Sequence, residues 1–270
     1  MKKRIVLVVL MVLILVGICQ VFFYEEPLPI SNYIVLDNGN LAYDEYGAGE
    51  EVIILVHGSP GGKETFEKLA SEISGFKIYT LDMFCFGEST KELNNCGMEF
   101  AADTVLEFMD EKEIETASIL GYSWGGSVVI TFANRYPERL DNLILLSGNG
   151  IQEGEPTKHF VTERARSWLA YPFAVYSPGA FAGDYRWRRG FIKSFIDSDQ
   201  RPIKDWLGEI ETRTLILHGD SDTIIIPWVA EKHNSLLPNS ELVFFTGNHM
   251  TISRDVSEIS VKLQEFLENE

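Results

Sequence analysis

Cysteine is scarce in this chain, with only Cys19, Cys85 and Cys96 among 270 residues. No two of them stand at C-x-x-C spacing, so the sequence offers no familiar thiolate metal site. Cys19 lies inside an apolar stretch, which leaves Cys85 and Cys96 as the one pair that could bridge. Positive charge is also short, with 23 Lys and Arg against 40 Asp and Glu and a formal charge of −17. Without the three basic residues Lys2, Lys3 and Arg4 the remaining body carries −20. So acidic a surface disfavours nucleic acid or anionic lipid as a partner of the globular part. The basic group Arg164, Arg166, Arg186, Arg188 and Arg189 is interleaved with acids and reads as solvated surface. Internal repeats and low-complexity linkers are missing as well. Disorder is excluded by a hydrophobic fraction of 45% and a charged fraction of 23%, both ordinary for globular chains. The length suits one large α/β domain or two small ones with a sizeable core.

One long apolar run is present. "MKKR" precedes Ile5–Phe23, nineteen residues without formal charge. That length suits a transmembrane helix, and the basic flank predicts a cytoplasmic N-terminus with the body on the extracytoplasmic side. The alternative is a secretory signal peptide, removed to release a secreted protein. No small-x-small site follows the run, which favours an uncleaved signal-anchor over residues 1–26.

Beyond it, "YIVLDNGNLAYDEYG" predicts two strands around an Asn-Gly turn. "EVIILVHG" has the continuous apolar character of a strand buried on both faces. Helical spacing follows in "KETFEKLASEIS", then a strand in "FKIYTLDMF" and a helix in "EFAADTVLEFMDEKE". "TASILGYS", "GGSVVITFANRYPERL" and "DNLILLSG" continue the alternation. Such alternation implies right-handed crossovers and a largely parallel sheet with helices on both faces. Residues 151–209 break the pattern, with eleven aromatics and no clear strand. The pattern resumes with "TRTLILHGD", a helix around "PWVAEKHNSLL", the strand "ELVFFTG" and a closing helix. The expected organisation is therefore a core of residues 31–150 and 210–270 interrupted by a helical, aromatic-rich segment at 151–209.

The chemistry concentrates at strand ends. G-x-S-x-G at Gly121–Gly125 is weak alone, since chance supplies roughly one match per ten chains of this length. Here it follows an apolar strand and opens a helix, the arrangement of a nucleophile elbow. Gly121 and Gly125 permit the tight turn that would raise Ser123 above the sheet's carboxyl edge. A serine hydroxyl needs a base, and His249 in "FFTGNHMT" follows the last strand, where a loop can return it to that edge. The base needs an acid to orient it. "HGDSDTIIIP" offers Asp220 and Asp222, and Asp222 has the better reach, leaving Asp220 as a turn residue. An oxyanion needs two N–H donors: Trp124, immediately after the nucleophile, and Ser59 in "VHGSPGG" beside Gly58.

"HGSPGG", "DMFCFGEST", "GYSWGG", "HGDSDTIIIP" and "GNH", in this order, resemble the α/β-hydrolase superfamily across residues 31–270. The chain order Ser, Asp, His is the one that family uses. The resemblance implies an α/β-hydrolase fold in which residues 151–209 form a cap over the site. It is similar to cap-bearing serine esterases, C–C hydrolases and proline iminopeptidase-like aminopeptidases. Serine at the nucleophile position argues against the related dehalogenases and epoxide hydrolases, which place aspartate there. One departure is that no proline follows His249 at the usual distance.

The leading expectation is carboxylesterase-type hydrolysis of a small or medium apolar ester, with catalytic Ser123, Asp222 and His249 and no metal or organic cofactor. An aminopeptidase would need cap carboxylates aimed at a substrate ammonium, with Glu153, Glu155, Glu163, Asp184, Asp197 and Asp199 as candidates. An acyl transferase is open too, because water and an alcohol compete for one acyl-enzyme. From a different class, a non-catalytic protein could use the cap pocket to bind a ligand. Tyr122 and the side chain of Trp124 have no assigned role.

Overall fold

A computed structural model describes residues 11, 12, 15, 16, 18, 31–155, 158–177 and 184–269. The apolar run Ile5–Phe23 lies largely outside the described residues. Among the described residues no helix is long and apolar enough to cross a membrane.

Eight strands form one sheet in the order β1-β2-β4-β3-β5-β6-β7-β8. They are β1 (Asn32–Leu36), β2 (Gly39–Gly47), β3 (Val52–Val56), β4 (Lys77–Leu81), β5 (Ala117–Tyr122), β6 (Leu140–Leu146), β7 (Thr214–Gly219) and β8 (Ser240–Phe245). β2 runs antiparallel to both β1 and β4, and every pair from β4 to β8 is parallel. The first hairpin departs from its expected register. Leu36 pairs with Gly39, so Asp37 and Asn38 close the loop and Gly39 opens β2 at φ +128. A Cβ on Gly39 would lie 2.5 Å from Thr90 Oγ1, so the glycine serves both the turn and the packing behind it.

Helices cover both faces, which explains why the parallel strands read as continuous apolar runs. In β3, Ile53 and Leu55 enter a cluster with Leu69 of α1 (Glu67–Glu72) and Leu263 of α8 (Ser257–Glu268). Ile54 and Val56 enter the opposite cluster. There they join Phe108 of α2 (Met98–Glu111), Phe132 of α3 (Trp124–Arg135) and Val229 of α7 (Pro227–Leu236).

Between β6 and β7 the described residues hold no strand. α4 (Phe160–Tyr176) and α5 (Tyr185–Asp197) pack on each other, and the short α6 (Ile203–Trp206) packs on α3. α5 also rests on the loop after β4. Arg189 donates to the Lys91 and Leu93 carbonyls, and Lys193 to that of Asn94. A Cβ on Gly190 would fall 2.2 Å from the Cys85 carbonyl oxygen. Cys85 and Cys96 are joined in a disulfide that closes this loop, so the pairing left open by the sequence is made.

Candidate active site

Four loops leaving the C-terminal ends of β3, β5, β7 and β8 converge on one point. In open α/β sheets this edge is where ligands bind. Ser123 directly follows β5 and holds φ +53, ψ −119, a left-handed backbone that a non-glycine residue rarely adopts. The close packing explains the flanking glycines. A Cβ on Gly125 would sit 2.3 Å from the Val56 carbonyl oxygen, and one on Gly121 would sit 2.2 Å from that of Gly125. Both obstacles are backbone and cannot swing away. The Ser123 carbonyl accepts from the N–H groups of Gly126 and Asn149, which pins the elbow from below.

His249 follows β8 and brings its Nε2 to 3.0 Å from Ser123 Oγ. Its Nδ1 lies 2.7 Å from Asp222 Oδ2. Because the carboxylate accepts, Nδ1 carries the proton and Nε2 is left to accept from the serine hydroxyl. Asp222 is itself held on its other oxygen, where Oδ1 accepts from the N–H groups of Ile224 at 2.8 Å and Ile225 at 3.0 Å. Burial pushes its carboxyl pKa up. The hydrogen bond and charge of His249, with those two N–H groups, outweigh that and hold it below the usual value. The structure thus brings Asp222, and not Asp220, to the imidazole. Asp220 accepts from the Gly247 N–H at 3.1 Å on the exposed side of the same loop.

The β3 loop lies against the serine. A Cβ on Gly58 would be 2.8 Å from Ser123 Cβ, so any larger residue there would displace the serine or the loop. His57 orders this loop. Its Nε2 accepts from the Met83 N–H at 3.1 Å, so its Nδ1 carries the proton donated to the Gly58 carbonyl at 2.6 Å. Burial pushes the His57 pKa down, consistent with a neutral ring. The hydroxyls of Ser59 and Ser194, on α5, are 2.7 Å apart and join this loop to the segment above it. Trp124 starts α3, where the first N–H groups have no intrahelical acceptor. Its buried indole packs on Phe86 and donates from Nε1 to Ser198 Oγ at 3.4 Å.

Two neighbours of the relay escaped the sequence reading. The Tyr122 hydroxyl donates to the His249 carbonyl at 2.7 Å, and the two rings lie 5.0 Å apart with a 30° tilt. Burial, and then the Asp222 charge, push the phenol pKa far up, so it stays a donor. His218 donates from Nε2 to the Ile225 carbonyl at 2.8 Å, bracing the turn that supplies the Asp222 N–H donors. Only the position of Tyr122 inside G-x-S-x-G hinted at the first role. Nothing in the sequence pointed to the second, since His218 reads as a strand-end residue.

Of the six carboxylates considered for an ammonium, five are committed elsewhere, Glu163 among them through its ion pair with Arg166. Glu153 pairs with Lys204, Asp184 caps α5, Asp197 accepts from the Cys96 N–H and Asp199 holds Arg201. Glu155 and Glu163 are both buried and line a small cavity of about 20 Å³ with Trp124, Phe160, Ser198 and Gln200. Glu155 accepts from Gln200 Nε2 at 2.8 Å, while buried Gln200 Oε1 has no hydrogen-bond partner. Burial, against the pull of Gln200, raises the Glu155 pKa. No group of residues that could hold a metal occurs among the described residues.

A family model described as the alpha/beta hydrolase fold matches residues 51–178. Lipase 1 of Psychrobacter immobilis is 22% identical over 246 residues, 81% of this chain and 77% of that protein. A 2-hydroxy-6-oxo-6-phenylhexa-2,4-dienoate hydrolase of Comamonas testosteroni is 28% identical over 68% of this chain and 75% of its own. Among solved structures, a hydrolase from Pseudomonas aeruginosa superposes with a TM-score of 0.73 at 19% identity, covering 88% of this chain and 98% of the other. An esterase from Thermogutta terrifontis superposes at 0.71 and 21%, covering 87% and 97%. With the sheet order, the elbow after β5 and these likenesses together, the chain is a member of the α/β-hydrolase superfamily.

Proposed function

We propose that this hydrolase cleaves carboxylic esters of small or medium apolar acids by two-step acyl transfer at Ser123. The observation that carries the proposal is the continuous hydrogen-bond path from Ser123 Oγ through His249 to Asp222, at 3.0 and 2.7 Å. Ser123 attacks the carbonyl while His249 Nε2 takes its proton, and the same proton then goes to the departing alkoxide. Asp222 keeps the imidazole in the required tautomer and stabilises the imidazolium. The N–H groups of Trp124 and Ser59 receive the oxyanion. Water, activated by the same imidazole, then attacks the acyl-enzyme and frees the serine. Residues 151–209 act as the cap, and the likeness to two bacterial lipases supports an ester as substrate.

A second reading, an aminopeptidase, is favoured by one observation. Glu155 lies buried beside Trp124 with the neutral amides of Gln200 and Asn149 as its donors, where a substrate ammonium would find an acceptor. One experiment separates the two: a panel of esters of varied acyl length beside aminoacyl-arylamides, on wild type and Ser123→Ala. Ester turnover that vanishes in Ser123→Ala supports the first reading, and arylamide preference promotes the second. Failure of a fluorophosphonate to label the folded wild type would overturn both and leave the non-catalytic ligand-binding reading.

We also propose, from the charge-free run Ile5–Phe23 behind "MKKR", that the chain is membrane-anchored with its body extracytoplasmic. Retention of the chain in membranes washed with alkaline carbonate tests this. Release would favour the secreted form.

A further inference from the structure

Among the described residues beyond residue 31, the exposed large apolar side chains gather at one end of the molecule. All but Phe244 and Val261 lie on β1, on α4 and α5, or in the loops and helix start that follow β7 and β8. The densest group is on α4, where Val161, Trp168, Leu169 and Phe173 recur at helical spacing and are 76, 58, 74 and 76% exposed. Four such residues on one face of a helix already packed on α5 form a contiguous apolar surface rather than scattered single residues.

The strand register puts the start of the folded body at that same end. Leu81, the last residue of β4, pairs with Tyr43 of β2, and Tyr43 pairs with Asn32, the first residue of β1. β1 therefore begins level with the C-terminal edge of the parallel strands and runs on beyond it. That edge bears Ser123, Asp222 and His249, and the segment carrying α4 departs from it after β6. Between Phe23 and Asn32 stand only eight residues, which span at most about 30 Å even fully extended.

We propose that the exposed face of α4 docks on the surface of a zwitterionic lipid bilayer, the one that holds the N-terminal apolar segment. The inference rests on the membrane attachment proposed above and adds the orientation: active-site end toward the lipid. The short link keeps the cap end of the body near the headgroups. Tryptophan, phenylalanine and leucine are the side chains that settle at this interface. The −17 charge sets the lipid class, because an acidic body is repelled by anionic headgroups and indifferent to zwitterionic ones.

The test reconstitutes the full chain in phosphatidylcholine vesicles with ordinary or brominated acyl chains and compares tryptophan emission. Trp168 is one of five tryptophans, so its quenching removes about one fifth of the emission, a loss absent from Trp168→Phe. Leu169→Ser/Phe173→Ser, altered only at exposed positions, retains turnover of a water-soluble ester and loses most of the Trp168 quenching. Equal quenching in wild type and Trp168→Phe overturns the proposal, as does crosslinking between copies through α4 without quenching. Carbonate extraction on the same vesicles separates the two readings. Retention without Trp168 quenching removes the docking and leaves the anchor, whereas release with Trp168 quenching removes the anchor and leaves the docking.

Discussion

Replacing Asp222 with asparagine keeps the shape of the side chain and tests the relay through one proton. In the wild type, Oδ1 accepts two backbone N–H groups at 2.8 and 3.0 Å and Oδ2 accepts from His249 Nδ1 at 2.7 Å. An amide has one oxygen, so only one of these sides can keep an acceptor. Turning the NH₂ group toward Ile224 and Ile225 leaves two N–H donors without acceptors, one buried and one partly buried, at about 1–3 kcal/mol each. The oxygen therefore stays with the backbone, and the NH₂ group faces His249. Nδ1 must then accept, the ring proton moves to Nε2, and Ser123 Oγ meets a donor where it needs a base. A penalty of about 2–6 kcal/mol confines the productive orientation to between roughly one molecule in thirty and one in 10⁴. Loss of the carboxylate that steadies the imidazolium pushes the result toward the lower figure, so kcat/KM for an ester falls about 10³- to 10⁴-fold. Fluorophosphonate labelling slows in parallel, while the circular dichroism spectrum is unchanged. Asp220→Asn, on the exposed side of the loop, changes the rate less than about threefold. A folded Asp222→Asn enzyme within tenfold of wild type would refute the reasoning, as would an Asp220→Asn enzyme equally impaired.

Tyr122→Phe removes one hydroxyl from the His249 carbonyl and keeps the ring contact. The loss of about 1–2 kcal/mol lowers kcat 5- to 30-fold with KM nearly unchanged, because the group orients the base and touches no substrate. A change in KM alone would show that Tyr122 shapes the pocket instead. His233 is fully buried with neither ring nitrogen hydrogen-bonded, and burial, then the neighbouring His218, push its pKa down to about 3. Below about pH 6.5 the unfolded chain takes up a proton there that the folded one refuses, so stability falls as pH drops from about 6.5 toward 3, by about 1.4 kcal/mol per unit. His233→Leu flattens that slope in urea melts at pH 7, 6 and 5 and is at least as stable as wild type at pH 7. An unchanged slope would exclude His233 as its source.

Local pattern decides a great deal in this protein. The doubly apolar "VIILV" and "TLILHG" are legible as strands covered on both faces, and Ser123 is legible because a strand, a glycine-flanked serine and a helix follow one another without a gap. Such features need only neighbours in the chain, since period and turn chemistry act over a few residues. Asp222 has the better reach in sequence, and the pairing of β7 with β8 brings the loops together so that it meets His249 in a hydrogen bond. Gly39 shows the limit even of a strong local signal: Asn38-Gly39 predicts the turn, yet Asp37 and Asn38 close the loop and Gly39 pairs with Leu36 in β2. Tyr122, His57 and His218 were visible as residues and silent as partners. Their hydrogen bonds run to backbone carbonyls and an N–H group, which have no sequence signature. The same holds for the segment between β6 and β7. Its composition sets it apart, but which aromatics are buried and which stand exposed on α4 depends on how α4 and α5 pack together. The sequence determined the alternation, the elbow and the order of serine, aspartate and histidine. Only the fold decided which side chains meet, because contacts between residues more than a hundred positions apart are set by the sheet register and the packing it imposes.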